Sequence, residues 1–216
     1  MAIRRITFDS KEEWLKHRTG IGGSDAACIL GMSSYKTNVQ LWMEKTGRQK
    51  PEDISEQPYV KYGTEAEQYL RELFKLDFPE YKVMYEEGNM WLNDEIPWGH
   101  ASLDGWLLDQ GGNQGILEIK TTEIMRAGQK DLWKGRIPDN YYIQLLHYFL
   151  ITQFDFAVLK GQLKFDINGD VWLQTKHYHL ERSEVQDDIE FLCDKEFQFH
   201  KCIQQDIKPD LILPQI

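Results

Sequence analysis

The stretch from Gly99 to Thr122 constrains the fold of this chain more than any other. It runs Gly-His-Ala-Ser-Leu-Asp-Gly-Trp-Leu-Leu, then Asp109-Gln110-Gly111-Gly112-Asn113, then Gln-Gly-Ile-Leu-Glu-Ile-Lys-Thr-Thr. Two short apolar runs around a turn-rich centre predict a β-hairpin with a loose tip. Side chains alternate across a strand, so Glu118 and Lys120 share one face while Leu117 and Ile119 take the other. If the first strand brings Asp104 alongside, two carboxylates and an ammonium converge at the edge of a buried sheet.

Alone, a Glu-x-Lys pair fits a same-face ion pair on a solvated sheet. Three features favour chemistry instead: Asp104 on the preceding strand, the apolar opposite face, and a carboxylate-bearing helix upstream. Mg²⁺ takes oxygen ligands and keeps several waters, so two carboxylates and a backbone carbonyl suffice to hold it. A lysine beside such an ion orients water and stabilises charge on a phosphate. The combination points to a metal-dependent phosphodiesterase.

The rest of the chain supplies alternating strands and helices. Ser10 to Glu13 is a capping box that starts a short helix. Small residues after Arg18 lead into a second helix with Ser24 or Asp25 as N-cap; with no Gly-Lys-Ser/Thr ending, this is not a P-loop. A helix from Asn38 closes at Gly47, a polar connection runs from Arg48 to Pro58, and a longer helix starts at Tyr62. Leu70, Leu73 and Phe74 mark its apolar side, with Ala66 and Tyr69 near the same stripe. Short strands are expected at Lys82–Tyr85 and Met90–Leu92. Lys130, Lys134 and Arg136 are candidates for DNA-backbone contacts. A helix from Asn140 to Thr152 carries Gln144 and His147, and a lone histidine on so apolar a helix reads as a packed, hydrogen-bonded one. Two strands joined at Asn168-Gly169 complete the sheet, a helix from Ser183 to Gln205 covers it, and the Pro-containing tail is left loose. One α/β domain over residues 1–216 accounts for all of this.

The order Gly-x-x-x-Glu on a helix, Ser-x-Asp-Gly, Leu-Glu-Ile-Lys and Tyr-x-Gln-Leu-x-His-Tyr resembles the YqaJ-type viral recombinases, the lambda exonuclease family of the PD-(D/E)XK nucleases. The resemblance runs from Trp14 to about Phe156, with the strands and helix of residues 157–216 beyond this motif-bearing core. It implies a restriction-endonuclease-like domain, a central mixed β-sheet flanked by helices. By that pattern Asp104, Glu118 and the Ile119 carbonyl hold one or two Mg²⁺, for which Mn²⁺ substitutes. Glu67, four positions after Gly63, supports the metal or its water in preference to Glu65. Lys120 positions the nucleophilic water, and Gln144 matches the active-site glutamine. A second glutamine common in the family is replaced here by Leu146, which should turn into the core. Arg18, Ser24 and Ser102 match the pocket for a terminal 5′-phosphate, for which arginine's fixed fork of donors is suited.

The implied activity is a 5′→3′ exonuclease on linear double-stranded DNA, releasing mononucleotides and leaving a 3′ overhang for a single-strand annealing protein. The implied assembly is a ring-shaped homotrimer. A structure- or sequence-specific endonuclease on the same fold, or an inactive DNA-end-binding scaffold, are the alternatives. The net charge of −10 argues against general DNA coating. It is compatible with cations confined to a groove around a metal-centred site. Neither a membrane-crossing run nor a signal-peptide h-region is present, so a cytoplasmic protein is expected, and the resemblance implies a phage or prophage one. Cys28, Cys193 and Cys202 form no CxxC pair and read as reduced structural thiols rather than zinc ligands.

Overall fold

The computed structural model describes residues 2–213. In chain order the elements are β1 (Ile3–Thr7), α1 (Lys11–His17), α2 (Gly23–Ile29), α3 (Asn38–Lys45), α4 (Pro58–Asp77), β2 (Lys82–Met84), β3 (Asn89–Asn93), β4 (Gly105–Leu108), β5 (Gln114–Glu123), α5 (Ala127–Asp131), α6 (Asp139–Thr152), β6 (Phe156–Ile167), β7 (Asp170–Glu181) and α7 (Gln186–Gln204). The main sheet has five strands in the order β2-β4-β5-β6-β7, and β1 pairs with β3 in a separate two-stranded ribbon. Only β5 and β6 are parallel; every other neighbour pair is antiparallel. A parallel pair needs a crossover, and the segment carrying α5 and α6 supplies it.

Strand alternation divides the core. Leu117 and Ile119 of β5, with Phe156 and Val158 of β6, pack on Leu70 and Phe74 of α4. Ile116, Ala157 and Leu159 point the other way, into the larger cluster built on α6. Glu118 has the parity of Ile116 and so belongs to the α6 side. That side is where the site forms.

Several local expectations hold for the physical reasons that produced them. Ser10 accepts from the Glu13 N–H at 3.1 Å to start α1. Gly47, at φ +74°, closes α3. Asn168 and Gly169, both at positive φ, turn β6 into β7. Others are corrected. Helix α4 starts at Pro58, whose missing N–H suits the first helical position, four residues earlier than expected. Tyr69 and Leu73 face solvent rather than the core, leaving Leu70 and Phe74 as the buried stripe. The N-cap of α2 is Gly22, and Asp25, at the third helical position, accepts from the Gly22 N–H at 3.0 Å.

Helix α7 covers α6 rather than the sheet, through Ile189 and Leu192, while Phe197 stacks on Trp98. The tail is held down as far as residue 213. The Asn38 side chain donates to the Asp210 carbonyl at 2.7 Å and accepts from the Ile212 N–H at 3.0 Å, as a neighbouring strand would. The end from Pro214, also expected to be loose, lies outside the described residues.

His147 is structural, as its apolar surroundings suggested. It is fully buried, with Nδ1 2.7 Å from Glu196 Oε1 of α7 and Nε2 2.9 Å from the His100 carbonyl. Both ring nitrogens face acceptors, so the geometry calls for an imidazolium. Burial alone would lower its pKa, but Glu196 and the His100 carbonyl outweigh this and hold it above 6.5. Such a pair stabilises fully below 6.5, and its contribution is lost as pH rises through the elevated value. Removing one partner strands a buried charge: Glu196→Ala is expected to cost about 3–5 kcal/mol in denaturant unfolding. An unchanged midpoint would show that the pair is not a structural tie.

Candidate active site

The two-carboxylate centre is set by strand register. Gly105 of β4 lies opposite Leu117 of β5, so the next pair beyond the ladder places Asp104 opposite Glu118. Asp104 Oδ2 accepts from the Ile119 N–H at 2.8 Å. A strand residue's N–H and C=O point to the same edge, so the Ile119 carbonyl faces the same gap where β4 has ended.

Glu118 is 1 % exposed. Its Oε1 receives both Lys120 Nζ at 2.6 Å and Gln144 Nε2 at 2.7 Å. Its Oε2 is buried with no partner among the described residues. Gln144 reaches it from α6 and also donates to the Tyr148 hydroxyl, one helical turn on, at 2.7 Å. Lys120 Nζ lies 5.2 Å from the centre of the Tyr141 ring.

Electrostatics follow from this crowding. Burial, with Glu118 beside it, pushes Asp104 up to about 7. Glu118 is raised chiefly by burial, against the pull of Lys120. Burial works to lower Lys120, but Glu118 and Asp104 more than offset it, so the lysine stays charged. Glu67 enters from α4 and is pushed up to about 7, first by burial and then by Asp104.

Arg71, one turn beyond Glu67, joins the two acids: its Nη1 donates to Glu67 Oε1 at 2.9 Å and also to the Asp104 carbonyl. Its guanidinium stacks 3.5 Å from the centre of the Tyr85 ring. At i and i+4 on a helix, Glu67 and Arg71 could form no more than a surface ion pair. In the structure the ion pair and the placement beside Asp104 occur together.

The donor types fit a hard divalent cation: two carboxyls opposite one another in the register, the unpartnered Glu118 Oε2 and a neighbouring backbone carbonyl at Ile119. Glu67 would join by exchanging its Arg71 contact. Among the described residues no three such side chains are already gathered in ligand geometry, because Arg71, Lys120 and Gln144 occupy them.

An open cleft of about 560 Å³ has Glu67, Asp104, Gln144, Arg18, Ser24 and Ser102 on its wall, while Glu118, Ile119 and Lys120 lie behind Asp104 and Gln144 and do not line it. Arg18 lies 4.4 Å over the Trp14 ring, and the Trp14 indole N–H is 3.3 Å from Ser102 Oγ. Helix α2 approaches closely because Gly23 has no side chain: a Cβ there would sit 2.5 Å from the Tyr148 ring. Leu146 is buried, as expected, and Glu65 is exposed. Lys130 stands over the stacked Phe165–Trp172 pair, 5.5 Å from the Phe165 ring, and Arg136 lies 3.5 Å from Asp139. None of Lys130, Lys134 and Arg136 lines the cleft.

Comparison with known proteins shows the family and the fold. The profile of the YqaJ-like viral recombinase domain matches residues 13–155. The chain belongs to that family. The uncharacterized protein YqaJ of Bacillus subtilis (strain 168) is 31 % identical over 194 residues, 87 % of this chain and 55 % of the relative. The chain thus spans about half the length of that relative. The alkaline exonuclease LHK-Exo of Laribacter hongkongensis superposes with a TM-score of 0.64 at 17 % identity, over 91 % of this chain and 94 % of its own. A phage-related exonuclease of Haemophilus somnus 129PT gives 0.51 at 12 % identity, over 90 % and 99 %. The fold is the mixed-sheet α/β architecture of these solved structures.

Sequence reasoning missed Arg71 as a link and Tyr148 as a partner of Gln144. Both lie one turn from a residue already singled out, which is the signal that identifies them.

The raised Asp104 value carries a sign. A carboxyl whose folded pKa exceeds its ordinary 3.8 favours the fold while protonated, and that contribution is lost as pH rises through about 7. In metal-free buffer Asp104→Asn should therefore melt higher than the unaltered chain above pH 7, with the gap closing toward pH 3.8. Each kcal/mol of repulsion relieved raises Tm by about 2–4 °C at this chain length. Equal or lower melting of the variant would contradict the crowded-carboxyl picture.

Proposed function

We propose that the chain is a divalent-metal-dependent deoxyribonuclease. It acts 5′→3′ on one strand of linear double-stranded DNA, from 5′-phosphorylated ends, releasing mononucleotides and leaving 3′ overhangs. The observation that carries the reading is the register pair Asp104–Glu118, with Glu118 Oε1 taken by Lys120 and Gln144 while Oε2 stays free. Membership of a viral recombinase family and the fold shared with exonucleases support it. LHK-Exo has itself been determined in complex with dAMP.

Asp104, Glu118, the Ile119 carbonyl and Glu67 would hold Mg²⁺ or Mn²⁺. When bound, the ion supplies Lewis acidity toward the scissile phosphate and lowers the pKa of water. The remaining work falls to the chain's own residues. Lys120, kept charged by the two carboxylates, orients the attacking water and offsets charge growing on the phosphate. Gln144 locks the Glu118 carboxylate and is itself fixed by Tyr148. Arg71 ties Glu67 to the Asp104 turn. Arg18, Ser24 and Ser102 seat the terminal 5′-phosphate at the other end of the same cleft, so the distance between pocket and carboxylates decides which bond is cut. The proposal extends to a homotrimeric ring around DNA, a single-strand annealing partner that takes the overhang, and work in the bacterial cytoplasm on behalf of a phage or prophage. In the described residues no helix is long and apolar enough to cross a membrane.

Digestion of linear duplex with 5′-phosphoryl or 5′-hydroxyl ends, and of a closed circle, tests the reading. Mg²⁺ should support loss of linear DNA alone, faster from phosphorylated ends and abolished by EDTA. Lys120→Ala should slow it by about 10²–10³-fold, as for removal of one transition-state donor. Cutting of the circle would assign an endonuclease, and binding without cutting a recombination scaffold; either overturns the proposal.

A further inference from the structure

His100 has no part in the site as described so far, although its ring lines the cleft. It is 4 % exposed, and its Nε2 has no hydrogen-bond partner among the described residues. Buried ring nitrogens are normally paired, so an unpaired one facing a cleft asks for a ligand. The backbone leaves little freedom to turn away. The His100 N–H donates to the Ile21 carbonyl at 3.0 Å, and its own carbonyl accepts from His147 at 2.9 Å.

The turn from Gly20 to Gly23 lies against this ring. A side chain at Gly22 would project between two nitrogens, its first carbon 3.1 Å from His100 Nε2 and 3.8 Å from Arg18 Nη2. Gly22 has φ −105°, which any residue can adopt. Backbone strain therefore does not explain the glycine; the space beyond it does. His100 Nε2 and Arg18 Nη2 thus flank the same side of Gly22, an imidazole and a guanidinium together, the donor pair suited to a phosphomonoester. Burial, with His147 and Arg18 nearby, holds the His100 pKa down to about 3, so the ring meets an incoming anion neutral, with a single N–H to give.

We propose that His100 is a phosphate-binding residue, its Nε2 hydrogen-bonding the terminal 5′-phosphate of DNA in a gap that Gly22 keeps open beside Arg18. This rests on the reading of the cleft as a 5′-phosphate pocket and adds its fourth side chain. His100 lies two residues before Ser102 and four before Asp104, so one short segment links the anchored phosphate to the carboxylate centre.

The test is the ratio of kcat/KM for 5′-phosphoryl over 5′-hydroxyl duplex ends, measured on full-length protein with melting curves as a folding control. His100→Ala should lower the ratio about tenfold, the scale of one hydrogen bond to a charged group. Gly22→Ala should lower it too, by crowding the gap. His100→Gln, whose amide nitrogen reaches about as far as Nε2, should recover much of it. A purely structural histidine would slow both ends alike and leave the ratio unmoved, which would overturn the proposal. If Arg18→Ala abolishes the preference while the His100 and Gly22 variants keep it, the pocket stands and His100 falls out of it. If the unaltered protein shows no preference, the pocket reading fails and the proposal fails with it.

Discussion

The structure depends on burying two carboxyl groups side by side where β4 ends against β5. Asp104 and Glu118 face one another across the register; burial and the Glu118 charge push Asp104 up, and burial raises Glu118 as well. The fold supplies donors to this pair, Lys120 and the Ile119 N–H from β5 itself and Gln144 from α6, while Arg71 from α4 holds the Asp104 carbonyl. The placement of α4 and α6 on opposite faces of the sheet, and the crossover that makes β5 and β6 parallel, can be understood as what delivers those donors.

The supporting contacts form a second layer behind this one. The His147–Glu196 pair is fully buried and ties α6 to α7, and through the His100 carbonyl it also fixes the segment that leads into Asp104. Asn38 acts as a strand-like clasp for the tail, and Gly23 lets α2 approach Tyr148. The His147 bond and the Gly23 approach bear on His100 and Tyr148, both on the cleft wall. Geometry of this kind is held more tightly when its supports are packed and satisfied.

The hairpin, its alternation and the Glu118–Lys120 face were legible because a strand has period two and glycine marks turns. The same holds for Leu146 in the core and for the Asn168-Gly169 turn. The start of α4 was placed late because Pro58 was read as the end of a loop rather than the first helical residue. Tyr69 and Leu73 were put in the core because hydrophobic residues at helical spacing do not reveal how wide the buried stripe is. Arg71 was visible as a partner of Glu67, but its second bond, to the Asp104 carbonyl, joins residues 33 apart.

The sequence by itself determined which side chains lie on which face of each strand and helix, because those periods are properties of the local backbone. It also carried the motif order that places the chain in its family. Only the tertiary structure decided that Asp104 stands opposite Glu118, that Lys120 and Gln144 share one carboxylate oxygen and leave the other free, and that the unpaired His100 Nε2 lies beside Gly22 and Arg18. Those are distances between elements separated by tens of residues. Register and helix-on-sheet packing set them, and no local preference encodes either.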